Sequence, residues 1–251
     1  MKRALGYGLL GLAAFLLFLL LRVPANLVTG QVGTRLSDFS VQDVEGTATE
    51  GTMLGARWRG ARIERLTWRW RPLALLLGRL EFNLSADDPE IKLIGNAAMG
   101  LGRQVHFRDL AGRLPLSRLG NLAGNLPLQG TVEFALPELD LGATGRPLAA
   151  RGTVRLLNLR TALNPPTSIG DFVVQLDSTS TEGVRGKIKD NNGPLVLDGT
   201  LGLLPDGRYR FDGQAAVRDA ANQSLRQAMS LLGPPGSDGR WTLNFSGALA
   251  P

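Results

Sequence analysis

Apolar and polar residues alternate along most of the chain beyond residue 30, the pattern of strands with one face on a core. Leu66, Trp68 and Trp70 fall on one side of such a segment, and Arg69 and Arg71 on the other. Leu80, Phe82 and Leu84 alternate with Glu81, Asn83 and Ser85. The same phase recurs in Val132, Phe134 and Leu136, in Gly152, Val154 and Leu156, and in Phe172, Val174 and Leu176. Toward the C-terminus, strands are predicted over Val184–Lys189, Leu195–Leu203, Tyr209–Val217 and Arg240–Leu249. The turns between them are Asp190-Asn191-Asn192-Gly193 and Pro205-Asp206-Gly207, whose Asn and Gly residues tolerate positive φ. Consecutive strands joined by tight turns make an antiparallel meander.

Two segments carry a helical period. Asp219–Leu232 has Asp219 as N-cap, Leu225, Met229 and Leu232 near one face, and Gly233-Pro234-Pro235 as its stop. Asp109–Leu122 is the second, with Pro115 interrupting it. The predicted fold class is therefore mainly β: an elongated antiparallel sheet, groove or sandwich, with one or two short helices.

Before the sheet, Ala4 to Leu21 carries no charge. A helix of about 18 residues rises roughly 27 Å, close to a bilayer core of about 30 Å. Leu5, Leu9, Leu12, Phe15, Leu16, Phe18 and Leu20 are its principal lipid-facing candidates. The run is longer than a signal-peptide core, and Arg22-Val23-Pro24-Ala25 offers no small-x-small cleavage site, so an uncleaved anchor is expected. Lys2 and Arg3 at its start keep the N-terminus in the cytoplasm. The expected organisation is a cytoplasmic tail (1–3), a transmembrane anchor (4–22), a linker (23–30) and an exported β domain (31–251). The turn-forming Gly142–Pro147 stretch could divide that domain into lobes 31–145 and 146–251.

Composition narrows the chemistry. The 32 glycines are scattered between apolar stretches, which suits a turn-rich sheet. Lysine and arginine total 28 against 22 acids, and three of the bases flank the anchor, so the body is close to balance and carries no nucleic-acid field. With no cysteine and one histidine, His106, neither thiolate nor polyhistidine metal sites can form. His106 lies out of phase with its apolar neighbours and reads as an exposed strand residue. No nucleophile elbow, Walker motif or dinucleotide fingerprint is present. Asp87-Asp88 before Pro89, and Asp190 with Asp198, read as solvated turn acids. No catalytic, cofactor-binding or metal site is expected. The Arg-rich stretch Arg57–Arg71 is mainly a solvated strand face. Within it Arg57, Arg59, Arg69 and Arg71 are the candidates for contact with anionic headgroups or an acidic partner.

Several short runs appear in a familiar order. They are Val44-Glu45-Gly46-Thr47, Gly51-Thr52, Trp58-Arg59-Gly60-Ala61, Leu66-Thr67-Trp68 and Arg71-Pro72. The C-terminal series is Asp190-Asn191-Asn192-Gly193-Pro194-Leu195-Val196-Leu197-Asp198-Gly199, Pro205-Asp206-Gly207-Arg208-Tyr209, Leu231-Leu232-Gly233, Asp238-Gly239-Arg240 and Phe245-Ser246-Gly247. In order and spacing they resemble the protein N family of the bacterial type II secretion system. One departure is that Met53-Leu54 follow Gly51-Thr52, where the family pattern has an early tryptophan. The resemblance implies a non-catalytic inner-membrane component with a periplasmic body. Its partners would be other subunits of the platform that supports export of folded proteins across the outer membrane. A looser similarity to periplasmic groove proteins of the AsmA-like kind implies, as the alternative, lipid held in an apolar groove.

Overall fold

Alternating segments separated by short turns zip most cheaply onto their nearest sequence neighbours, because little loop entropy is lost. In the computed structural model every strand follows that rule. Residues 23–25, 40–58, 61–77, 79–99, 104–118, 128–143, 145–161, 166–178 and 183–248 are described. The expected anchor, from Leu5 through Leu9, Leu12, Phe15, Leu16 and Phe18 to Leu20, lies outside the described residues, as does Arg59. Among the described residues no helix is long and apolar enough to cross a membrane.

The strands are β1 (Asp43–Gly46), β2 (Glu50–Trp58), β3 (Ala61–Trp70), β4 (Leu80–Asp87), β5 (Lys92–Met99), β6 (Val105–Pro115), β7 (Leu128–Leu141), β8 (Pro147–Thr161), β9 (Ser168–Leu176), β10 (Val184–Asp190), β11 (Leu195–Leu203), β12 (Arg208–Val217) and β13 (Trp241–Ala248). All thirteen join one antiparallel sheet in sequence order, with β1 and β13 at its edges. Among the described residues the body is thus a single sheet, and the sandwich alternative is corrected. The Gly142–Pro147 stretch forms the turn between the two longest strands, and pairing continues across it.

Register fixes two faces. One row of direct partners crosses the sheet through Thr52, Thr67, Ser85, Ile94, Ala111, Ala135, Thr153, Gln175, Lys187, Thr200, Asp212 and Asn244. That face is largely polar. On the other face Gly112, Phe134, Val154, Val174, Ile188, Gly199, Gly213 and Leu243 follow one another across β6 to β13.

Glycines on the apolar side are covered by neighbouring rings. A Cβ on Gly51 would lie 2.5 Å from the Trp68 ring, one on Gly112 2.6 Å from Phe134, and one on Gly199 2.7 Å from Phe211. Each aromatic therefore lies flat over backbone and keeps water from a strand position that has no side chain of its own.

The sheet curls. β8 and β10, with β9 between them, bring Cα atoms within 8 Å, whereas alternate strands of a flat sheet lie roughly 9.5 Å apart. At the turn end, Arg146 Nη1 before β8 donates to the Asp206 carbonyl after β11 at 2.9 Å. Leu110, Leu136 and Val174 are buried on this sheet.

Among the described residues a helix covers the sheet near the C-terminus. There α1 (Gln223–Ser230) packs Leu225 and Met229 onto Leu159, Phe172, Leu195, Ala215 and Trp241. A helix of eight residues is unstable alone, so this burial and its cap hold it. The cap is Asn222, whose Oδ1 accepts from the Leu225 N–H at 3.1 Å.

Two helix expectations are corrected here. The C-terminal helix begins after Asn222, because Asp219 instead closes a local turn onto the Ala221 N–H. Leu232 is exposed rather than buried with Leu225 and Met229. Asp109–Pro115, read as the start of a helix, belongs to β6. Asp109 has φ 52° and forms a bulge against β5, where Ile94 pairs with Ala111 but Asn96 with Arg108.

Candidate interaction surface

The β2–β3 hairpin holds the candidate arginines, and its pairing separates them. Glu50 pairs with Arg69 at one end, and Arg57 pairs with Arg62 at the other. At about 3.4 Å per residue those ends are roughly 25 Å apart.

The Arg69 end also receives the N-terminal segment. Pro24 bridges to Thr47, and the Ala48 N–H donates to the Val23 carbonyl at 2.8 Å. Arg69 donates from Nε and Nη2 to Glu50 Oε1 at 3.0 and 2.8 Å. Arg71 Nη1 reaches Glu81 Oε1 at 2.7 Å. Both arginines lie on the polar face, and Trp68 and Trp70 turn to the other side, with Trp70 buried. The strict alternation read from Leu66 to Arg71 is therefore present.

At the far end two cations stand directly opposite each other, an arrangement that disfavours pairing. Gly55, with φ 62°, interrupts the strand phase between the two ends, and the register holds the Arg57–Arg62 pair at the opposite end of the hairpin from Arg69. Arg57 is exposed, and among the described residues no carboxylate pairs with it. The structure thus keeps Arg69 with Arg71 and places Arg57 apart from them.

Beside this hairpin lies a group that sequence reasoning missed. Asp88, expected to be a solvated turn acid, is 6% exposed. Its Oδ2 accepts from the backbone N–H groups of Glu64 at 2.8 Å and Arg65 at 3.3 Å. The pairing of β3 with β4 covers only Thr67–Trp70, so the carboxylate occupies the edge that β4 leaves open. Arg118 packs close by, donating to Glu90 Oε2 at 2.8 and 2.6 Å. Glu90 accordingly raises the guanidinium pKa above its ordinary value, first by hydrogen bonding and then by charge. Only the Asp-Pro dipeptide hinted at a turn, and nothing in it signalled burial.

Elsewhere the polar face is laced by cross-strand pairs. Arg113 meets Glu133 at 3.4 Å, Arg151 meets Glu138 at 3.6 Å, and Lys189 meets Asp198 at 3.8 Å. His106 joins this series through Nδ1 to Asp140 Oδ1 at 2.7 Å and is half-buried, where an exposed residue was expected, because it is held against Asp140 of the neighbouring strand. Each such pair is worth about 0–1 kcal/mol, so their main effect is to fix register. Asp190 accepts from Arg218 Nη2 at 2.6 Å, while Asp198 turns to Lys189. The two acids do not converge on a cleft. In the β11–β12 turn the Arg208 backbone N–H, followed by its guanidinium, holds the Asp206 carboxyl below its ordinary pKa. Asp212 raises that of Arg210 on β12, mainly through a hydrogen bond. Among the described residues no group of three His, Cys, Asp or Glu could hold a metal ion. The arrangement is one of charge pairs and strand edges.

Comparison with known proteins places this sheet. A sequence model of the family described as "Type II secretion system (T2SS), protein N" matches residues 37–244. "Type II secretion system protein N" of Vibrio cholerae is 26% identical, over 99% of this chain and 100% of the relative. The protein of that name from Klebsiella pneumoniae is 29% identical, over 98% and 97% of the two chains. That from Aeromonas hydrophila is 24% identical, over 99% and 100%. No solved structure matches. With the family pattern running from before β1 into β13, the chain belongs to the type II secretion system protein N family.

Proposed function

We propose that the chain is a non-catalytic inner-membrane component of the type II secretion apparatus, supporting the export of folded proteins across the outer membrane. The observation that carries the reading is the end-to-end likeness to proteins named for that system, with no gap that could hold a separate enzymatic domain. The wholly antiparallel sheet agrees with it, since many of its charged side chains are held in cross-strand pairs. The family likeness favours this role over lipid handling of the AsmA-like kind.

In this reading the N-terminal apolar run spans the inner membrane once and the sheet lies in the periplasm. The segment Val23–Ala25 enters beside the turn between β1 and β2. Arg69 and Arg71 then stand at the membrane-proximal end, where anionic headgroups are in reach. Arg57, with Arg59 following it in sequence, points toward other subunits of the platform. No nucleic acid or cofactor takes part.

The test is deletion of the gene in its own bacterium, followed by assay of secreted enzymes in the medium. Secretion should fall severalfold, with the enzymes retained in the periplasm and release restored by the intact gene. Unchanged secretion in a strain with no second copy would remove the role.

A further inference from the structure

The two edges of the sheet are built differently. β1 has four residues, carries Asp43 and Glu45, and lies next to Pro24, which bridges to Thr47 at its end. Short, charged and partly covered edges are the usual defence against unwanted strand pairing. β13 has none of these defences. It has eight residues, Trp-Thr-Leu-Asn-Phe-Ser-Gly-Ala, and alone among the thirteen strands it contains no Lys, Arg, Asp or Glu. It has no proline, and its pairing with β12 runs from Arg208 to Ala215 without a bulge. Among the described residues nothing pairs with its outer side. Thr242, Asn244 and Ser246 are exposed on the polar face, and Phe245 on the other face is 47% exposed. Phe245 stacks on Phe211 with centroids 6.2 Å apart, and Tyr209 covers Gly247 beside them. An aromatic patch thus ends abruptly at the edge.

We propose that β13 pairs with β13 of a second copy of this chain, antiparallel and about a two-fold axis normal to the sheet. Three observations select a second copy. First, an uncharged strand can face itself without like charges meeting, which a charged strand cannot do. Second, the axis keeps apolar faces together, so Phe245 of the two copies extends the Phe211–Phe245 stack across the seam. Third, the acidic, partly covered β1 does not compete as a head-to-tail acceptor, so the contact is isologous and closes at two copies. The inference does not depend on the secretory role, because its readout is pairing and not export.

The absence of cysteine gives a clean cross-linking background. Directly opposed strand residues bring Cα atoms to about 4.5–5.5 Å, within disulfide range. The full-length chain is expressed in its membrane with Asn244→Cys alone, and as mixtures of Asn244→Cys with Thr242→Cys or with Ser246→Cys. Together these cover an axis through Leu243, Asn244 or Phe245. Under mild oxidation, one of the three combinations should give a disulfide-linked product of twice the chain mass. Glu45→Cys on β1 serves as the unpaired control. Adding Phe245→Lys sets two charges at the seam and should return that product to the control level. Because Phe245 is half-exposed, the strand itself should keep its hydrogen-exchange protection. No product above control in any combination, a product whose mass is not twice that of the chain, or a dimer indifferent to Phe245→Lys would each overturn the proposal.

Discussion

Trp241→Ala should open the C-terminal end of the sheet, with a loss of about 3–5 kcal/mol. Trp241 is 6% exposed and lies in the cluster of Phe172, Ala215, Leu225 and Met229. Its Nε1 donates to the Gly233 carbonyl at 3.0 Å, which ties the end of α1 to the start of β13. Truncation removes the apolar surface that holds an eight-residue helix, and the helix cannot persist without it. The effect is expected to be regional, because β13 is an edge strand with one neighbour. Hydrogen-exchange mass spectrometry of the full chain should show Gln223–Ser230 and Trp241–Ala248 losing protection while β6 to β8 keep theirs. Trp241→Phe separates the two contributions. It keeps most of the buried area and loses the hydrogen bond, so it should cost only about 1–2 kcal/mol. Equal protection in wild type and Trp241→Ala would mean that the α1 cluster does not hold this end.

The second large effect comes from adding bulk where none fits. Gly199 faces Gly213 across β11 and β12, and the Phe211 ring covers both. A Cβ on Gly199 would lie 2.7 Å from Phe211 Cζ and 3.0 Å from the Asp212 carbonyl oxygen. The backbone oxygen cannot move without breaking the ladder, so Gly199→Val must expel the ring. Overpacking of this kind costs about 1–3 kcal/mol. Expulsion also strips Phe245 of its stacking partner. Urea unfolding of the full chain should therefore show Gly199→Val destabilised by about 2–3 kcal/mol, with Gly202→Val much milder, since a Cβ there meets nothing nearer than 4.0 Å. Equal midpoints for the two variants would contradict the ring-over-glycine packing.

The strands of the C-terminal half were legible because their phase is unbroken. Leu195–Leu203 was read to the residue, as was the turn at Pro205–Gly207, whereas the turn expected at Asp190–Gly193 starts one residue later because Asp190 still belongs to β10. Bulges made the rest harder to read. Asp109 shifts the phase of β6, so Phe107, Leu110 and Leu114 share a face at spacings of three and four, which imitates a helix. Asn158, with φ 53°, does the same to Leu156 and Leu159 in β8. Whether the expected sheet was an open one or a sandwich was not legible, for another reason. Alternation specifies a buried face but does not say what buries it. The arginines were assigned to the correct faces near Trp68 and Trp70. Their partners Glu50 and Glu81 belong to neighbouring strands, so spacing within β3 could not reveal them. Asp88 was misread because a buried carboxylate that takes backbone N–H groups looks, in sequence, like any Asp before proline.

We propose that an uncleaved N-terminal helix holds the sheet outside the cytoplasm, and one topology measurement tests this directly. Protease is added to intact cells and to spheroplasts carrying the full chain, and the purified protein is weighed by mass spectrometry. The sheet should be degraded only in spheroplasts, and the intact mass should include Met1 through Arg22. A sheet still protected in spheroplasts, or a mature chain starting near Ala25 in a soluble fraction, would contradict it.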